Sequence, residues 1–392
     1  MQLKQDLRQT EKLYDQDAYL WEFDATVISC APMGKQYAVE LDQTAFFPEG
    51  GGQTGDDGTL NDVAVKNTVL QGGRILHLCD APLAVGQTVH GRLDGNLRFT
   101  KMQNHSAEHV VSGLVHSMFG GNNIGFHLGE GEVTMDYDIF LDDAQIDALE
   151  IAVNRAVWDN RAITVFYPTP EQAATLSYRS KLDITENLRL VEVAGVDLCA
   201  CCAPHVKTTG EIGCVKIVGS MRNKGGVRLF MLAGEWALRD YQKISAAVAH
   251  IAAATSVKRE NAASGFDRLQ AELNAANAEG GKLRRLIVEM TANGVSPDEK
   301  TVCLFPPFSD ALSTRNLMNR CLDAGVEICA CFFGERDGRF QYIVGSKTTD
   351  MVPFSKELNA ALNGRGGGKP DMAQGSVFAP RSAIEEFFAQ RR

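Results

Sequence analysis

The stretch QNHSAEHVV, residues 103–111, decides how the chain is read. It sets His105 and His109 four residues apart, with Glu108 directly before the second histidine. On a helix, side chains at that spacing share one face, close enough to share one ion. The same letters match H-x-x-E-H, a metalloprotease signature in which the glutamate is the general base. The flanking residues favour a helix. Apolar Met102, Val110, Leu114 and Met118 recur at helical spacings, and Gly120-Gly121 follow as a stop.

A second ligand-rich segment bears on the choice. In DLCACCAPHVKTTGEIG, residues 197–213, Cys201 and His205 are again four apart. Together the two segments supply three imidazoles and one thiolate, a tetrahedral donor set suited to one Zn²⁺ per chain. Fe²⁺ or Co²⁺ would suit the same ligands nearly as well. Cys199 and Cys202 compete as donors. Cys201 is preferred because its spacing to His205 mirrors the histidine pair, which leaves Cys199 as a surface thiol and Cys202 as a small buried residue. The protease reading needs a further carboxylate ligand downstream, Glu186 or Glu192, and leaves the cysteine–histidine segment unexplained. Glu108 is therefore expected to be solvated or to stand behind the histidines.

Outward from these segments the organisation is α+β. From about residue 20 to 95, ATVISCAP, QYAVELD and GRILHLC are β-prone, and GQTGDDG and QGG carry turn chemistry. A small β-barrel or sandwich over 1–98 is predicted. Within 99–235 long helical patterns mix with strand-like EVTMDYDIF, ITVFYP, LRLVEVAG, GCVKIVG and VRLFMLAG. The pattern LDDAQIDALEIAVNRAVWDN opens with Asp142 or Asp143 as N-cap and carries Ile146, Leu149, Val153 and Val157 on one face. Residues 236–295 read as a helical linker or coiled coil. Phe266, Leu269, Leu273, Ala276, Leu283, Ile287 and Met290 fit a heptad seam, interrupted at Gly280-Gly281. From 296 to 392 the order β-α-β-β fits a compact α/β domain. An Asp-Gly hairpin turn and a glycine-rich loop, LNGRGGGKPDMAQGS, belong to it.

Composition bounds the rest. The chain has 392 residues, 44% apolar and 22% charged, as in an ordinary soluble protein. No run of eighteen apolar residues occurs, so no membrane-spanning helix is expected. The polar start has no apolar h-region, so a cytoplasmic location is expected. There the ten cysteines would be reduced thiols or metal ligands. The formal net charge is −10, which steers the chain away from nucleic acid overall. Any such partner needs a local basic patch. The glycine-rich segment and KLRRL near Arg284 are where one should appear.

Four segments in this order, FFPEGGGQTGDDG, NHSAEH, CCAPHVKTTGEIG and GRGGGKPDMAQGS, resemble the alanyl-tRNA editing proteins. This is the free-standing AlaX family, related to the editing half of alanyl-tRNA synthetase. The resemblance is to its long form, with a C-terminal DHH-associated domain, and covers about 20 to 390. It implies a barrel carrying Pro48 to Gln53 and an editing domain whose zinc ligands are His105, His109, Cys201 and His205. It further implies a nucleic-acid-binding DHH-associated domain contacting RNA through Arg365, Gly366, Gly367, Gly368 and Lys369. The implied reaction is hydrolysis of the ester joining a wrong amino acid, serine first and glycine second, to tRNA(Ala). Gly50, Gly51, Gly52, Gln53 and Ser106 are the implied substrate contacts. Glu49, Gln53 and Ser106 are the catalytic candidates. A homodimer through 236–295 or the C-terminal domain is a further expectation. The family usually has threonine after the first histidine and Cys-Gly-Gly-Thr-His in the second segment. This chain has Ser106 and Cys201-Cys202-Ala203-Pro204-His205, with the ligand spacing kept. No synthetase core precedes the barrel, so activation with ATP is not expected. A non-catalytic, zinc-stabilised RNA-binding protein of the same fold is the alternative.

Overall fold

Alternating apolar residues in the first ninety positions predict half-buried strands, and a computed structural model shows how they close. It describes residues 10–129, 131–180, 188–296, 298–336 and 338–391. Strands Glu22–Met33, Gln36–Leu41, Arg74–Cys79, Val63–Gln71, Gly58–Leu60 and Thr88–Leu93 pair in that order and return to the first. The result is a closed barrel rather than a sandwich, and closure removes the exposed sheet edges. Val27, Val39, Leu41, Phe46, Leu60 and Val89 fill it.

The helix predicted around the two histidines runs from Gly95 to Phe119. Asp94 caps its start by accepting from Leu97 N at 2.9 Å, and Gly120 ends it at φ 74°. It is buried almost all round, from Arg98 to Val115, so it carries charged residues into the interior. Buried charges need partners, and the barrel supplies them. Arg98 Nε donates to Asp56 at 2.8 Å, and Lys101 Nζ to Gly55 O at 2.6 Å. Beside the helix lies a four-stranded antiparallel sheet in the order Val215–Asn223, Gly226–Ala233, Val133–Tyr137, Asn123–Leu128. Helix Asp143–Trp158 begins with Asp142, not Asp143, as N-cap, in a reciprocal capping box with Gln145. A three-stranded meander, Ile163–Phe166, Leu190–Val193 and Asp197–Ala200, completes this part. Met102, Val110, Met135, Leu149, Val153 and Leu229 share one core.

The chain divides into two compact units, residues 1–247 and 248–392. The division falls inside helix Gly234–Ala254. The apolar seam lapses at Gly280-Gly281, but helix Ala262–Asn293 itself runs through both glycines unbroken. Each glycine costs about 1 kcal/mol of helix propensity, too little to stop a helix of 32 residues. Its last turns are no free linker, because Val288 and Ala292 pack into a core with Leu317, Cys321 and Cys329. Phe266, Leu269, Leu273 and Leu283 are more than half exposed.

In the second unit five strands form one sheet in the order Thr301–Leu304, Ile328–Arg336, Arg339–Ser346, Met372–Phe378, Arg365–Lys369. The first pair is parallel, with helix Ala311–Asp323 between the two strands, and the rest are antiparallel. The sheet is therefore mixed, because a tight hairpin can only join antiparallel strands. Asp337 of the expected Asp-Gly turn lies outside the described residues. The segment read as a glycine-rich loop is instead a hairpin, Arg365–Lys369 against Met372–Phe378. Its strands approach so closely that a Cβ on Gly366 would stand 2.4 Å from Gln374 O, and one on Gly368 2.1 Å from Met372 O. Among the described residues no helix is long and apolar enough to cross a membrane.

Candidate metal centre

His105 and His109 lie one helical turn apart and both are buried. Strand Asp197–Ala200 and the turn after it bring Cys201 and His205 against them. Arg189 holds that turn, donating from Nη1 to Cys201 O at 2.7 Å and Ala203 O at 3.0 Å. His105, His109, Cys201 and His205 each offer one ligand atom, all within 4.8 Å of one another. Cys201 Sγ is 3.4 Å from His105 Nε2 and 3.3 Å from His205 Nε2. Two such ligands on one tetrahedral zinc ion stand roughly 3.5 Å apart, given its Zn–N and Zn–S lengths. The donor set fits.

Each imidazole is oriented from behind. His105 Nδ1 is 2.8 Å from Gln53 Oε1, His109 Nδ1 is 3.1 Å from Asp197 Oδ2, and His205 Nδ1 is 3.0 Å from Ser106 Oγ. Protons on Nδ1 satisfy these acceptors and leave the Nε2 lone pairs for a metal. The Ser106 hydroxyl also accepts from Val206 N at 3.3 Å. Asp197 is held in turn by Arg179, whose Nε and Nη2 each donate to it at 2.7 Å.

Electrostatics favour a charged thiol. Burial pushes Cys201 up, but the surrounding imidazoles, His105 first, outweigh it and hold the thiol well below its ordinary range. Burial drives His205 down to about 3 against the attraction of the Cys201 thiolate. Burial also pushes His109 down, yet Asp197 and Cys201 prevail and hold it well above its usual value. A metal entering this cluster therefore displaces a proton.

The competing cysteines exchange places relative to expectation. Cys202 is exposed, and Cys199 is partly buried beside His109 and Asp197. The protease reading finds no support. Glu192 is an exposed strand residue paired with Thr164, and Glu186 lies outside the described residues. Glu108 is not solvated. It is 5% exposed, and its Oε1 accepts from Ser112 Oγ at 2.6 Å and Asn123 Nδ2 at 2.7 Å. Its Oε2 is 3.9 Å from His109 Nε2, on the side of that ring facing the cluster rather than behind it.

The glycine-rich motif meets this cluster through Gln53. Gly50 and Gln53 bridge each other across a tight turn whose central Gly51 and Gly52 have φ of 62° and 85°, a conformation glycine adopts without strain. Glu49, Gly51 and Gly52 are exposed, and Cys202 Sγ lies 3.5 Å from where a Gly51 Cβ would stand. The supporting pair Asp197 and Arg179 escaped the sequence reading. Arg179 joins the cluster only across the meander and has no motif of its own.

In the second unit Gly367, Gly368 and Lys369 line a groove of about 790 Å³ with Arg315, Asn319 and Lys347. Arg365 is exposed outside it, and Gly366 packs against Gly375 and Tyr342. Arg315 and Lys347 are distant in sequence and only the sheet gathers them. Near KLRRL, Arg284 stands 3.8 Å from Asp310.

Two family descriptions match the chain: "tRNA synthetases class II (A)" over residues 6–97, and "Threonyl and Alanyl tRNA synthetase second additional domain" over 188–230. Alanyl-tRNA editing protein Aarsd1 of Danio rerio is 26% identical, over 96% of this chain and 96% of its own length. An alanine–tRNA ligase of Natronomonas pharaonis is 29% identical over 94% of this chain, which spans 42% of the ligase. The solved C-Ala domain of Aquifex aeolicus alanyl-tRNA synthetase covers 24% of the chain and 90% of that domain, at 19% identity. Its TM-score of 0.20 carries no weight for the fold. The resemblance read from the four motifs thus extends along nearly the whole sequence, over which the chain is similar to alanyl-tRNA editing proteins.

Proposed function

We propose that this chain is a trans-editing hydrolase that deacylates mischarged tRNA(Ala), Ser-tRNA(Ala) first and Gly-tRNA(Ala) second. The observation that carries the reading is the convergence of His105, His109, Cys201 and His205 beside the Gly50–Gln53 turn. The similarity to an alanyl-tRNA editing protein along 96% of the chain supports it. Zn²⁺ held by those four residues would supply a fixed positive charge and Lewis acidity beside the ester. The exposed backbone of Gly51 and Gly52 lets the aminoacyl end approach closely, and Glu49 borders the same turn. Ser106 acts through His205, whose Nδ1 it takes. A pocket built to pair the seryl hydroxyl would spare Ala-tRNA(Ala), which leaves those groups unpaired.

The RNA body would meet the second unit at the groove lined by Gly367, Gly368 and Lys369, with Arg365 and Gly366 beside it. The exposed seam of helix Ala262–Asn293 suits a homodimer contact. A cytoplasmic location goes with the substrate. The test is deacylation of Ser-, Gly- and Ala-tRNA(Ala) by purified protein, with His105→Ala and metal-depleted controls. Rapid loss of the seryl ester with the alanyl ester spared is the expected result. No ester loss from zinc-loaded protein would leave a non-catalytic RNA-binding relative.

A further inference from the structure

Gln53 is 1% exposed, yet half of its amide is unused. Its Oε1 takes the Nδ1 proton of His105, while among the described residues nothing accepts from Nε2. A buried donor without a partner is costly and rare, and it marks a place where a ligand atom belongs. The residue is also rigidly placed. Its N and O both bond Gly50 across the turn, and it bridges Leu128. A Cβ on Gly52 would stand 2.6 Å from Phe126 O, and the Phe126 ring lies 4.8 Å from the His105 ring. Turn, phenylalanine and histidine therefore pack as one block, with the Gln53 amide at the edge of the imidazole.

We propose that Gln53 has two tasks: it positions His105 for the metal, and it donates Nε2–H to the carbonyl oxygen of the scissile ester. The second task rests on the deacylase reading above. In that hydrolysis a water oxygen bonds to the carbonyl carbon and the C=O pair moves onto oxygen. The Gln53 amide donates to this oxygen as its charge grows. The carbon then re-forms its double bond and breaks its bond to the ribose oxygen, which gains the proton that water lost. The barrel thus contributes a substrate-binding group to a centre whose ligands all lie outside it.

Two substitutions in the full chain separate the tasks. Gln53→Glu keeps the acceptor and removes the N–H donor, whereas Gln53→Met removes both. Zinc affinity is measured by competition with a chromogenic chelator. Deacylation of Ser-tRNA(Ala) is measured in single turnovers at saturating zinc. Gln53→Met is expected to weaken zinc about 10–100-fold. Gln53→Glu is expected to bind zinc as tightly as the parent and deacylate about 10²–10³-fold more slowly. Parent zinc affinity in Gln53→Met would overturn the positioning role. A parent rate in Gln53→Glu would overturn the donor role. If the parent protein hydrolyses no aminoacyl-tRNA, the deacylase reading and the donor role fall together, and zinc affinity alone still decides the positioning role.

Discussion

Asp197 shows how much one residue carries that no motif announces. Its carboxylate takes two bonds from Arg179 and faces His109 Nδ1. Burial pushes its pKa up, but Arg179 and His109 outweigh that and hold it at about 2. A carboxylate depressed in the native state stabilises the fold above its unfolded pKa. That contribution is lost as pH falls from the ordinary carboxylate range through about 2. In metal-free protein, urea unfolding from pH 6 down to pH 2, roughly spanning that window, should show wild type and Asp197→Asn converging. At neutral pH Asp197→Asn should cost about 3 kcal/mol, because the largely covered Arg179 is left without its partner. The same variant should bind zinc about 10–100-fold more weakly. Unchanged zinc affinity, measured by competition with a chromogenic chelator, would show that His109 needs no such support.

Helix Gly95–Phe119 illustrates why element-level rules invert at a site. Glycine inside a helix is usually a defect, and replacing it with alanine usually stabilises by up to about 1 kcal/mol. At Gly113 the sign should reverse. A Cβ there would meet Val196 O at 2.5 Å and Asp197 Cβ at 2.8 Å, so the turn before the meander's last strand passes over bare backbone. Gly113→Ala should lower the melting temperature and displace Asp197 from His109, weakening zinc. A stabilised variant with parent zinc affinity would contradict this. The Asp142 capping box, by contrast, should follow the ordinary rule. Asp142→Ala should cost about 1 kcal/mol in denaturant and leave zinc content unchanged.

At the scale of the whole molecule the acidic balance makes local basic groups matter. With a net charge of −10, any RNA affinity would have to come from places such as the groove holding Lys369, Arg315 and Lys347, the last paired with Asp323 at 2.7 Å. Lys369→Ala should weaken tRNA binding uniformly and lower the salt slope by about 1, with zinc content unaltered. An affinity that matches wild type across a salt titration would remove this groove from the RNA site. The two compact units make the separation practical, since the four donors lie in one and Lys369 in the other.

Spacing alone named the candidate donors: His105 and His109 because residues four apart on a helix share a face whatever surrounds them, Cys201 and His205 only by analogy, since they lie on a turn. The barrel strands, the Gly120 stop and the Asp142 cap were legible for the same reason, each being a local rule. Local chemistry did not reveal which nitrogen of each imidazole faces the cluster. That depends on Gln53, Ser106 and Asp197, which reach the histidines from the barrel, the same helix and the meander. It also placed Cys199 and Cys202 the wrong way round, because their exposure is set by the Arg189-held turn and the neighbouring strand. The sequence by itself determined the donors and the order of the elements. Only tertiary packing decided their orientation, burial and charge, because those follow from partners distant in the chain.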